Sequence, residues 1–242
     1  MKRDKAHTTR IIDHISYRLT CVFIIPLISL LFIAGNASAQ TTSNQTQQPC
    51  CGVITPAGKH MLQTLDSMNV EHLWLAHEHV NWETGVADRD ADYAGPGKAT
   101  HCSAFAAAVG QRVGVYLLRP PEHSQILLAN AQTAWLSSQA ATKDGWVRLD
   151  DAKAAQSRAN LGELVVIVYQ SPNPKKPGHI AIVRPSLKTQ SQLDKDGPQV
   201  TQAGTHNRND WDARDAFHGH AGAWPDFVQY FSHGIHQTTP TN

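Results

Sequence analysis

Leu164-Val165-Val166-Ile167-Val168-Tyr169 and, after a Pro- and Lys-rich interval, Gly178-His179-Ile180-Ala181-Ile182-Val183 decide the reading of the fold. Both runs are apolar and rich in β-branched residues. Gly162 and Pro172 bound the first, and Pro185 stops the second. Runs of this length between turn residues predict strands, and Ser171 to Pro177 predicts the hairpin loop between them. Two further strands are expected at 198–203 and from Phe227 to Ser232. Upstream, the pattern is helical. Thr55-Pro56 joins a good N-cap to a residue suited to the first helical position, predicting a helix to about Met68 with Met61, Leu62 and Leu65 on one face. Gly95-Pro96-Gly97 forces a loop, after which Thr100 is read as the cap of a helix running through Ala108. A third helix fits 124–138, where Leu128, Ala131 and Trp135 recur at helical spacing. Helices first and an antiparallel sheet afterwards is an α+β order rather than a repeated βαβ order.

Residues 1–39 read as something other than fold. Lys2, Arg3, Lys5, Arg10 and Arg18 precede an apolar run from Cys21 to Ala34, and Ala37-Ser38-Ala39 follows. A basic start, a short apolar stretch and a small-x-small site describe a secretory signal, so export to the periplasm or medium is expected. The run is shorter than the about 20 residues of a membrane span, and Pro26 interrupts it. An uncleaved anchor is the alternative, and membrane contact is expected only through this segment. Residues 40–50, mostly Thr, Ser, Asn and Gln, read as a polar linker. That leaves 51–242 as a single domain, long enough for a sizeable core. Without residues 1–39, which hold five Lys/Arg and two Asp/Glu, the chain carries 16 basic and 18 acidic residues. Near-neutral balance argues against nucleic acid as a partner.

Three cysteines follow the signal: Cys50, Cys51 and Cys102. An odd number in an oxidising compartment calls for an explanation, and a working thiolate is one. Cys50 and Cys51 could pair with each other, with another chain, or stay free. Cys102 falls in the first turn of its expected helix, where orphan N–H groups stabilise negative charge and lower a thiol pKa. His179 opens a strand behind Pro177-Gly178, on the strand face of Ala181 and Val183, and is the expected general base. A third polar group normally orients such an imidazole. Gln202, on the next expected strand, and Asn207, just beyond its end, are the two candidates.

Thr100-His101-Cys102-Ser103-Ala104-Phe105, then Gly162-Glu163-Leu164-Val165-Val166 and Gly178-His179-Ile180-Ala181-Ile182-Val183, resemble the CHAP- and NlpC-type branch of the papain-like amidohydrolases. The resemblance covers roughly residues 75–210. It implies a papain-like fold, Cys102 as nucleophile, His179 as base, and a third polar residue on the following strand. Gln202, in Val200-Thr201-Gln202-Ala203-Gly204, matches that position, where many relatives carry Asn, Glu or His. The substrate the resemblance implies is an amide in the peptide stems of peptidoglycan. No cofactor or metal is expected.

Other readings start from the fourteen histidines. His72, His77 and His79 form one group in sequence, and His218, His220, His233 and His236 another. Neither has the spacing of a zincin helix, so a zinc-dependent hydrolase would need scattered ligands. Asp88, Asp90 and Asp92 resemble a calcium loop but lack its glycine (Tyr93) and its final acid (Ala99). His101 is read as exposed or cleft-lining, and Trp82 as a core residue rather than a cleft wall. Cleft specificity is expected from 75–100 and 110–160. A non-catalytic cell-envelope binding module and a protein-directed acyl transferase or deamidase on the same scaffold complete the alternatives.

Overall fold

The computed structural model describes residues 48–235, all within one compact unit. The expected signal at 1–39 and most of the expected 40–50 linker lie outside these residues. Pro49, at the end of that linker, bridges Thr189, and the Cys50 amide donates to the Lys188 carbonyl. The domain's first residues are therefore tied down. Among the described residues no helix is long and apolar enough to cross a membrane.

The fold is mixed α and β around a six-stranded antiparallel sheet. Helix α1 (Pro56–Ser67) begins as its residues predict, with the Thr55 side chain accepting from the Gly58 amide and Met61 and Leu65 buried. Helix α2 (Cys102–Arg112) is buried from Cys102 to Gly110. Thr100 is not its cap: His101 holds that position and its side chain makes no capping bond. Helix α3 spans Leu128–Leu136, shorter than expected, because Leu127 has φ 57° and cannot belong to the helix. Then come α4 (Gln139–Lys143), β1 (Trp146–Leu149) and α5 (Ala152–Asn160), which is capped by Asp151.

Strands β2 (Leu164–Tyr169) and β3 (His179–Val183) form the expected hairpin, paired from Val165↔Val183 to Tyr169↔His179. Helix α6 (Gln190–Asp196), held by a Thr189/Gln192 capping box, leads to β4 (Gln199–Gln202). Strand β5 (Arg208–Asp212), helix α7 (Ala213–Phe217) and β6 (Gln229–His233) complete the chain. The sheet order is β1-β6-β2-β3-β4-β5.

Both faces of the central strands are covered, which explains their unbroken apolar runs. On one face Val166, Val168, Ile180 and Ile182 pack with Phe105 and Cys102 of α2. On the other, Val165, Ile167, Ala181 and Val183 pack with Ala155 of α5 and Phe217 of α7. Trp74 meets Phe105 edge-to-face at 5.2 Å, and Trp82 packs half-buried against the same cluster. Cys50 and Cys51 are bonded to each other, leaving Cys102 as the free thiol of the described residues.

Candidate active site

Helix α2 delivers Cys102 to the one part of β3 that β4 leaves uncovered. Pairing between β3 and β4 runs through Val183↔Val200 and Ile182↔Thr201. Beyond it, Cys102 packs in one cluster with Ile180 and Ile182. The backbone amides of Ile180, Ser103 and Cys102 and the Ser103 hydroxyl favour its thiolate. Burial works the other way and wins, pushing the thiol up to about 11. This corrects the expectation of a lowered pKa: the helix start supplies its donors, but the surrounding core withholds water from the charge.

His179 stands at the first position of β3, placed there by a glycine that has no substitute. A Cβ on Gly178 would lie 2.1 Å from the Tyr169 carbonyl oxygen and 2.6 Å from Asn130 Oδ1. The imidazole is buried. Its Nε2 lies 2.5 Å from Gln202 Oε1, while Gln202 Nε2 donates to the His206 carbonyl at 2.9 Å. The carboxamide is therefore oriented from both ends. An oxygen acceptor at Nε2 puts the ring proton there and leaves the Nδ1 lone pair free. Phe217 meets the ring edge-to-face at 4.8 Å, and His220 stacks on it at 4.8 Å with 18° between planes. Burial, then the charge of His220, lower the His179 pKa to about 3, against a smaller opposing pull from Gln202.

Asn207 is not brought to the imidazole. Its Oδ1 accepts from the Gly204 amide at 2.8 Å, and its Nδ2 donates to the carbonyls of Val70, Leu73 and Trp74. It clamps two loops, and of the two candidates Gln202 is the one that bonds the imidazole.

Cys102 packs on the Ile180 face of β3 and His179, against Phe217, on the Ala181 face, so the two line separate, adjoining cavities that share Thr100 and Pro177 as walls. The cavity at Cys102, about 220 Å³, is lined mainly by apolar groups, among them Pro96, Ile126, Leu127 and Ala129. The cavity at His179, about 590 Å³, is lined by Gln202, His206, Trp211, Asp215, His218 and His220. Of the segments expected to shape the cleft, 96–100 and 125–129 line the thiol's cavity, while 204–220, not expected there, line the other.

The remaining histidines are dispersed. His101 lines the cavity at Cys102 but is buried, with Nε2 on the Glu78 carbonyl, and burial lowers its pKa. His79 pairs with Asp88 and lies 5.2 Å from the Tyr93 ring. His233 bonds the Asp144 and Gly234 carbonyls, apart from His218 and His220. Among the described residues no three His, Cys, Asp or Glu side chains converge as metal ligands would. Phe217 and His220 join the site only through the fold. In the sequence Phe-His-Gly-His at 217–220 is part of a histidine group, and no spacing ties it to a strand about forty residues earlier. Compared with known proteins, the chain matches no family model and no curated sequence.

Proposed function

We propose that this protein is an exported cysteine amidohydrolase of the papain-like, CHAP- or NlpC-type kind, cleaving amide bonds in peptidoglycan peptide stems. The observation that carries the reading is the meeting of two cavities at Thr100 and Pro177, one lined by the Cys102 thiol and the other by His179, which Gln202 bonds at Nε2 with Nδ1 left free. A helix-borne cysteine preceding the strands, with a histidine opening one strand and a glutamine on the next, supports the papain-like assignment.

The pKa directions set the resting state. A thiol raised to about 11 and an imidazole lowered to about 3 rest as a neutral pair, not as thiolate and imidazolium. Proton transfer is then coupled to attack. As the Cys102 sulfur bonds the substrate carbonyl carbon, its proton passes to His179 Nδ1. The Cys102 backbone amide is the oxyanion donor at the helix start. The imidazolium gives its proton to the leaving nitrogen, the C–N bond breaks, and a thioester remains on Cys102. Water attacks that thioester, losing a proton to Nδ1, and the thiolate regains a proton as the acid leaves. Gln202 accepts the Nε2–H bond throughout and holds the tautomer.

This chemistry also orients the substrate. The leaving amine must face His179, so the amine side of the scissile bond occupies the larger, histidine-lined cavity. The acyl side lies over Cys102, where the small apolar cavity suits an aliphatic residue such as alanine. The test is incubation of purified peptidoglycan with the protein and with Cys102→Ala, followed by mass spectrometry of released fragments. New amine termini from the wild type alone support the reading, and the fragment masses identify the bond. Burial of the thiol favours one second reading, a cell-envelope binding module on the same scaffold. That protein would bind peptidoglycan sacculi and release nothing.

A further inference from the structure

We propose that His220, resting on the proposed general base, is a positioning residue that keeps the His179 ring in its working plane and shuts the site down in acid. The inference rests on the reading of His179 as the base. Three contacts fix that ring: Gln202 at Nε2, Phe217 at an edge, and His220 across a face. Phe217 and His220 belong to one short segment, α7 and the turn after it, where the His220 amide donates to the Phe217 carbonyl. The segment is anchored to the sheet by Tyr169, whose hydroxyl donates to the Ala221 carbonyl and whose ring lies 5.8 Å from that of His220. His220 is thus held in place from both sides.

Its chemistry differs from that of an ordinary aromatic plate. While neutral, the ring presents a π face to the imidazolium that His179 becomes during the reaction, a favourable arrangement. Protonated, it sets a like charge a ring's thickness from that imidazolium and opposes its formation. His220 is half-buried and His179 is buried, so falling pH reaches His220 first. The other titratable groups around it are Tyr169 on β2 and His206, Asp215 and His218 on the cavity wall. Asp215 is engaged by Arg214 at 3.1 Å, and His218 is exposed. None of these covers the face of His179 as His220 does.

The test compares the wild-type full chain with His220→Phe and His220→Ala. The pH dependence of peptidoglycan cleavage would be measured, together with the NMR titration of the His179 ring. Phenylalanine keeps the plate and removes the charge, so the acid limb of cleavage should move to lower pH. Alanine removes the plate and admits water, so the limb should move to higher pH with the His179 titration. A shift of one pH unit changes the rate at a fixed acid pH about tenfold. Limbs and His179 titrations unchanged in both variants would overturn the inference, as would two variants moving together. If alanine fails to fold, the direction of the phenylalanine shift decides alone. The NMR titration requires no peptidoglycan. Failure of the wild type to cleave therefore sinks the functional reading while the titration still tests the stacking.

Discussion

His179 Nε2 and Gln202 Oε1 lie 2.5 Å apart, while the candidate five residues further along the chain, Asn207, is bound to three carbonyls elsewhere. These two carboxamides should differ in what their truncation does to the rate. Gln202→Ala removes a hydrogen bond to a ring that becomes charged, worth about 1.5–3 kcal/mol, so kcat should fall about 10- to 100-fold. Because Gln202 is buried, its loss also leaves the Nε2–H and the His206 carbonyl unpaired and should cost about 1–3 kcal/mol of stability. Asn207→Ala orphans the Val70, Leu73 and Trp74 carbonyls and should cost about 1–3 kcal/mol of stability at nearly unchanged kcat. Urea titrations and steady-state rates on both variants check the pair.

Gly178→Ala should damage both properties. The added Cβ meets the Tyr169 carbonyl at 2.1 Å, and backbone yields less readily than a side chain. Overpacking of this kind costs about 1–3 kcal/mol. Because the shift is next to His179, a displacement of about 1 Å there would lower the rate about a hundredfold. A variant with wild-type melting and wild-type rate would mean that the hairpin is not held as described.

Stability should fall at both ends of the pH scale. The buried His179 binds its proton near 3 when folded and near 6.5 when unfolded, so the unfolded chain takes up the proton first. The stability it supports is full above about 6.5 and declines as pH falls towards 3, by at most about 1.4 kcal/mol per pH unit. Cys102 does the reverse: the unfolded thiol ionises near 9 and the folded one near 11. Stability is full below 9 and declines as pH rises towards 11. Urea midpoints across pH should show both arms, and Cys102→Ala should lose the alkaline contribution while keeping the acid one.

Iodoacetamide should alkylate Cys102 slowly at neutral pH, because the thiolate is scarce in a site that favours the neutral pair. The rate should climb through pH 9 and above. Fast alkylation at pH 7 would mean that thiolate and imidazolium form the resting state.

Local signals were legible where one stretch of chain settles its own structure. Thr55-Pro56 caps and starts α1, the two apolar runs make β2 and β3, and Cys102 stands at the first position of a helix. Gln202 versus Asn207 was open because both follow β3 at plausible distances, and only the turn at 203–207 decides which one faces the ring. Strand β5, Arg-Asn-Asp-Trp-Asp, shows no apolar alternation because it lies at the sheet edge, where none of its residues is buried. Helix α5 hides among alanines and polar residues, its signal confined to the Asp151 cap. Thr100 misled because its side chain lines both cavities while the chain turns into the helix at His101. The effect of core burial on the Cys102 thiol depends on strands about sixty to eighty residues later, and no local pattern carries it.

The most direct measurement is the initial rate of primary-amine release from purified peptidoglycan by the wild type, Cys102→Ala and Cys102→Ser, each shown to be folded by circular dichroism. Removing a nucleophile should leave less than about one thousandth of the rate, and the account predicts that loss in both variants with substrate binding retained. Equal release by all three proteins would contradict it, reducing Cys102 to a core thiol and moving the chemistry elsewhere in the chain.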